Sequence, residues 1–291
     1  MAPCGILSFQ RSLFSKGDFT STLADLRLRL SYPGIEGLVL VEGESDEIVM
    51  QQHFSSRVFL LTPFCKGSAI KIIEQIGSSF KNVIAILDLD YSPKHSDERV
   101  FYYDGCNLEM MLIKNDDLFT NFDVTGTLPK SHLLSIRDNC LYKIKPFSCL
   151  RYLIAQGGAS NRFSQIKAKD IYPQLKNCLS LDRNAFLAQL YSGITCLTTI
   201  NKVDVSSFLA YFASNINQSL LIDDFALTNG HDFNELFHHL INPTITCSLK
   251  LSNKNTIYKL YARAFGHTLF IRTDLYRNIR KYERKHKVHF I

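Results

Sequence analysis

Between residues 18 and 114 the apolar positions fall in short unbroken runs separated by segments of helical period. Leu38-Val39-Leu40-Val41, Val58-Phe59-Leu60-Leu61 and Val83-Ile84-Ala85-Ile86-Leu87 are three such runs, and Val100 to Tyr103 is a fourth. Runs this short and this uniformly apolar predict strands covered on both faces. Asp18 to Leu30 reads as a helix capped by Asp18, with Leu23, Leu26 and Leu30 on one face, and Tyr32-Pro33-Gly34 ends it. Glu42 to Asp46 opens a second helix reaching about His53. Lys66-Gly67-Ser68 opens a third, with Ile70, Ile73 and Ile76 inward and Gly77 as its stop; Asn107 to Ile113 is a fourth. Strands alternating with helices, joined by right-handed crossovers, predict an α/β, doubly wound, short parallel sheet over residues 36–114.

Beyond residue 114 the rhythm changes. Leu and Phe recur at three- and four-residue spacing, as in Phe186, Leu187 and Leu190, in Phe208, Leu209 and Phe212, and in Phe233, Leu236, Phe237 and Leu240. Gly157-Gly158 and Asn242-Pro243 interrupt this pattern, Thr244 to Leu251 alternates as a strand would, and Asn255 to Phe265 resumes a helix. The expected organisation is a helical lead-in over 1–35, an α/β domain over 36–114, and a mainly helical domain over 115–291.

Composition narrows the class. Of 291 residues, 46% are hydrophobic and 12% aromatic, which excludes a disordered, collagen-like or coiled-coil chain. The longest apolar runs, such as Val83 to Leu87, fall far short of the ~20 residues of a membrane helix. The first residues lack a charged region followed by an apolar block, so a soluble, cytoplasmic protein is expected. The eight cysteines form no C-x2-C pair and read as reduced, mostly buried thiols rather than disulfides or zinc ligands.

The net charge of +6 is unevenly placed. Seven basic residues between Arg272 and Lys287 stand against Asp274 and Glu283, which is +5 of that total. Asp274 is positioned to cap a helix with Leu275, Ile279 and Tyr282 inward, leaving Arg277, Arg280, Lys281, Arg284 and Lys285 on a basic outer face. Such a face suits a phosphate backbone, and equally a merely solvated terminal helix.

The acids carry the chemistry. Ligand sites in an open parallel sheet lie at the carboxyl ends of the strands. Glu42 follows the first predicted strand, Asp88 and Asp90 close the third, and Glu109 follows the fourth. Each alone is an ordinary helix-capping or solvated acid. Together they repel, and no matching Lys or Arg stands beside them in the sequence, so a divalent cation is the economical partner. Asp88 and Asp90 are two apart at a strand end; Glu42 and Asp46 are four apart across a predicted helical turn, whereas Glu44 and Glu47 point elsewhere. Gly43 relieves the tight strand-to-helix turn. No G-x-x-x-x-G-K-[ST] is present, so the chain has no P-loop, and Gly157-Gly158-Ala159-Ser160 reads as a turn.

V-E-G-E-S-D at 41–46, a Gly at 67 and I-L-D-L-D at 86–90 resemble the TOPRIM domain of topoisomerases, primases and overcoming-lysogenization-defect (OLD) nucleases. The E-G-x-x-D form and N-L-E at 107–109 resemble most the OLD-like branch and its small stand-alone relatives, the AriB-like toxin subunits of PARIS anti-phage systems. The absence of zinc-ribbon cysteines and long accessory domains argues against a primase or topoisomerase. The resemblance implies a Rossmann-like fold, with Glu42 and Asp46 as ligands or base-positioning groups and Asp88 and Asp90 as principal ligands. Glu109 would complete a second position for two Mg2+ (or Mn2+) ions. It implies a catalytic lysine from the C-terminal part, for which Lys254 is the candidate, although Asn253 replaces the Gly often found before it. It further implies a Mg2+-dependent endonuclease acting as a toxin, with tRNA favoured as substrate, an ABC-like ATPase partner in trans and a homodimer. The alternatives are a DNA-cleaving OLD-like nuclease and a non-catalytic nucleic-acid-binding or scaffold subunit.

Overall fold

The computed structural model describes residues 19–62, 65–122, 129–156, 214–215, 218–241 and 254–291. The expected helices around 186–190 and 208–212, the strand over 244–251, the turns at 157–158 and 242–243 and the cap at Asp18 lie outside the described residues. The chain forms two compact units. One comprises the described residues through Asp88, with His95–Tyr103 and Phe265–Ile291; the other comprises Leu89–Lys94 and the described residues of Asp104–Ala264.

The first unit is built on four parallel strands, β1 (Gly37–Val41), β2 (Val58–Leu61), β3 (Val83–Leu87) and β4 (Val100–Tyr102), in the order β2-β1-β3-β4. The register runs Leu40 to Leu61, Val41 to Ile86 and Leu87 to Tyr102. Every residue of β1 and β3 is buried, which is why these runs carry no polar alternation. Helices α1 (Phe19–Leu30) and α3 (Lys66–Ile76) cover one face. Leu26, Ile72, Ile73 and Ile76 are buried there against Leu38, Leu40 and Ala85, with Leu23, Leu30 and Ile70 at the margin. Helix α2 (Glu44–Met50) continues as a short 3-10 turn, Gln51–His53. The alternation of strand and helix breaks once: residues 88–99 join β3 to β4 with no helix. Arg99 occupies that connection, bridging Asp97 and the carbonyls of Ile73 and Gly77 that end α3.

The C-terminal residues cluster with this sheet rather than with the helical region that precedes them in sequence. Short α10 (His267–Phe270) leads to α11 (Asp274–His286), whose Leu275, Ile279 and Tyr282 are buried as their spacing predicts. Thr273, not Asp274, is the N-cap, its hydroxyl accepting from the Tyr276 N–H at 3.0 Å; Asp274 is the first helical residue. Tyr282 meets Phe101 of β4 edge-on at 5.7 Å. The tail then folds back so that the buried Glu283 accepts the N–H groups of Phe290 and Ile291. The Phe290 ring lies so close to Gly37 that a Cβ there would stand 2.8 Å from it, which explains a glycine opening β1.

The second unit holds α4 (Leu108–Ile113), α5 (Leu118–Asn121), α6 (Lys130–Ala155), α7 (Asp224–Leu227), α8 (Gly230–Ile241) and α9 (Lys254–Ala264). Its core is aromatic, with Phe233 stacked on Phe237 at 5.2 Å and Phe119, Phe122 and Tyr261 around them. Buried Arg137 of α6 donates to the Ile113 carbonyl at 3.1 Å and pairs with Asp116 and Asp138. Among the described residues no helix is long and apolar enough to cross a membrane. Four described cysteines are free thiols, Cys65 exposed and Cys106, Cys140 and Cys149 buried.

Candidate metal centre

Glu42, Asp88 and Asp90 form an acidic group. Each offers a carboxylate oxygen, these oxygens lie within 4.8 Å of one another, and all three residues are half-buried. Sheet order brings Glu42 and Asp88 together, because β1 and β3 are parallel neighbours and both acids directly follow a strand end. The Glu42 carboxylate accepts the Asp88 N–H at 2.8 Å, continuing the ladder by one side-chain bond beyond the last strand pairing. Asp90 arrives differently. It is not two residues further along a straight strand but in a turn, with φ of 45° there and 62° at Tyr91. Asp tolerates this left-handed conformation better than most residues. The Leu89 and Asp90 N–H groups both donate to the Cys106 carbonyl, at 2.9 and 3.1 Å, and fix that turn.

Three carboxylates at this spacing repel in pairs by about 1 kcal/mol at the dielectric of water and several times that when partly desolvated. All the donors are hard oxygens, the set that suits a divalent cation such as Mg2+, Mn2+ or Ca2+. The residues present therefore fit a metal ion.

Asp46 has another role than the spacing suggested. Gly43 is extended at φ −147° and the helix begins at Glu44, so Glu42 is not helical and the four-residue face does not exist. The buried Asp46 carboxylate accepts from the Gly43 N–H at 3.1 Å and from the Tyr103 hydroxyl at 2.7 Å. Tyr103 is itself buried, and burial together with the Asp46 charge pushes its hydroxyl well above the usual range, so it stays a donor. This pair braces the strand-to-helix turn that carries Glu42. Nothing in the sequence marked Tyr103 beyond its place at the end of a strand.

Glu109, on α4, is 3% exposed and engaged within its own unit. Its Oε1 accepts a short hydrogen bond from the Tyr258 hydroxyl and pairs with His231 Nδ1 at 3.2 Å. Burial works to raise its pKa, but the hydrogen bonds from His231 and Tyr258 outweigh that and leave it below the ordinary value. The polypeptide passes tightly here: a Cβ on Gly230 would sit 2.5 Å from the Glu109 carboxylate. Lys254 opens α9, as expected for a residue just before a helix, and its side chain lies outside the described residues.

A residue the sequence did not single out stands at the acidic group. Lys66, the first residue of α3, donates from Nζ to the Asp88 carbonyl at 2.6 Å and lies over the Tyr102 ring at 5.7 Å. The terminal helix presents Arg277, Lys281, Arg284 and Lys285 to solvent. Three of the basic residues carry ion pairs: Arg277 with Asp274, Arg280 with buried Glu283 at 2.6 Å, and Lys285 with Glu98. No family model, curated protein or solved structure matches this chain.

Proposed function

We propose that this chain is a metal-dependent endonuclease with a TOPRIM-type α/β domain, cleaving phosphodiester bonds with Mg2+ as its physiological cation. The observation that carries the reading is the Glu42–Asp88–Asp90 group at the carboxyl edge of a parallel sheet. Mg2+ held there would lower the pKa of a bound water and offset charge on the phosphoryl oxygens. The protein's own contribution is placement. Glu42 ties the Asp88 peptide to β1, the turn at Asp90–Tyr91 returns a second Asp to the group, and Asp46 with Tyr103 holds the preceding turn rigid. The three acids supply one cation position. A second, to which the resemblance assigns Glu109, would require that carboxylate to exchange Tyr258 and His231 for the ion.

Substrate and context follow from the resemblance: tRNA is favoured over DNA, and the setting is a cytoplasmic toxin of an anti-phage system, a homodimer controlled by an ABC-like ATPase in trans. The solvent-facing lysine and arginines of α11 suit the nucleic-acid backbone. The test is induced expression of wild type beside Glu42→Ala and Asp88→Ala, with total RNA sequenced and the purified proteins checked by circular dichroism. New 5′ ends confined to particular tRNAs, absent in both folded variants and suppressed by EDTA, are expected. Cleavage that survives both substitutions or EDTA overturns the reading, and intact RNA beside a fragmented chromosome reassigns the substrate to DNA.

A further inference from the structure

We propose that Lys66 is the tethered counter-ion of the acidic centre, a positioning residue that grips the Asp88 peptide, balances the carboxylates before a divalent cation arrives, and opposes that cation's charge once it is bound. The inference rests on reading Glu42, Asp88 and Asp90 as a cation centre. Three features of the structure support it.

Both backbone groups of Asp88 are held by side chains. Its N–H goes to Glu42 at 2.8 Å and its C=O to Lys66 at 2.6 Å. The strand ladder closes one residue earlier, where the Tyr103 N–H meets the Leu87 carbonyl, so the Asp88 C=O lies beyond it and a side chain supplies its donor. The ammonium is also oriented by the Tyr102 face, an arrangement that holds a cation in place without neutralising it. Finally, the charges oppose: one ammonium offsets one of the three carboxylates and leaves the group net negative, so a cation still has a place there. Lysine suits this role because its ammonium is a compact charge, which the Asp88 carbonyl and the Tyr102 ring keep beside the acids.

Opposing charges predict an unusual direction for the variant. Glu42 still holds the Asp88 N–H when Lys66 is replaced, so the ligand stays placed and loss of the competing positive charge governs, strengthening metal binding. A unit charge against a divalent ion across a half-buried site changes affinity by about tenfold. Mn2+ alone, titrated into the whole chain and followed by electron paramagnetic resonance, reads this directly. Lys66→Met should bind Mn2+ about tenfold more tightly than wild type. Without metal it should melt lower, and Mg2+ should raise its melting temperature more than it raises that of wild type. Lys66→Arg, which keeps the charge, should restore wild-type affinity. If Lys66→Met does not fold, Lys66→Gln carries the same comparison with a donor retained. Unchanged or weaker Mn2+ binding in the uncharged variant, with wild type binding normally, overturns the counter-ion role and leaves the cation centre standing. Failure of wild type itself to bind Mn2+ overturns both.

Discussion

His53 is a buried base with nothing to bond, and acid should exploit it. Its side chain is 3% exposed, stacked on Phe270 at 4.5 Å and meeting Phe265 edge-on at 5.2 Å, with neither ring nitrogen hydrogen-bonded. The nearby Phe265 carbonyl favours the charged ring but is taken by the Gln52 side chain at 3.1 Å. Burial, reinforced by the charge of His267, lowers the pKa from 6.5 to about 4. The sign follows from linkage. The unfolded chain takes up a proton on this residue near pH 6.5 and the folded chain only near 4, so stability is full above that window and falls as pH drops through it. The full difference is about 3 kcal/mol, and about 2 kcal/mol of it is already lost at pH 5. Urea unfolding at pH 7.5 and pH 5.0, in wild type and in His53→Phe, isolates the effect because every other titrating group is common to both. Phenylalanine keeps both ring contacts and has no nitrogen to protonate. Wild type should lose about 2 kcal/mol more than the variant between the two pH values. Since His53 packs on the segment containing Phe265 and Phe270, amide exchange at pH 5 should show residues 265–291 opening first. Equal losses in both proteins would refute the reasoning.

The same C-terminal segment yields two further tests. Glu283 is buried, pairs with Arg280 and accepts two backbone N–H groups from the tail, so Glu283→Ala should cost about 3 kcal/mol in denaturant unfolding and expose residues 288–291 to proteolysis. Glu283→Gln, which keeps an acceptor for the tail, should lose less, and equal losses would place the stabilisation elsewhere. Charge reversal at Lys281 and Arg284, both exposed, should leave the melting temperature unchanged while weakening nucleic-acid binding and flattening its dependence on salt. Arg280 is the wrong residue for that experiment, because its reversal would strand Glu283.

Strands were the most legible part of the chain, since five-residue runs such as Val83 to Leu87 have no other comfortable place than a sheet buried on both faces. The amphipathic terminal helix was equally legible in its own register. Periodicity states which face is buried but not against what, so nothing local connected Tyr282 with Phe101 or placed residues 265–291 with the sheet. The four-residue spacing of Glu42 and Asp46 misled because it assumed one continuous helix, whereas the extended Gly43 separates them. Glu109 was recognisable as an acid after a strand. Its partner Tyr258 is 149 residues away, and no local pattern reaches that far.

The acidic centre shows what a linear reading of charge omits. Along the sequence Glu42, Asp88 and Asp90 have no basic neighbour, and a missing counter-charge was part of the argument for a metal. Sheet order changes that count. Because β2, β1 and β3 are adjacent and parallel, the ends at Leu61, Val41 and Leu87 stand side by side, and whatever follows each strand arrives at one edge. Two of these strands deliver acids, and the crossover after β2 delivers Lys66. One ammonium offsets one carboxylate of three, so the demand for a cation is reduced rather than removed. A row of acids on a parallel sheet is therefore to be weighed against the opening residues of every crossover helix at that edge, since topology makes them neighbours whatever their separation in the chain.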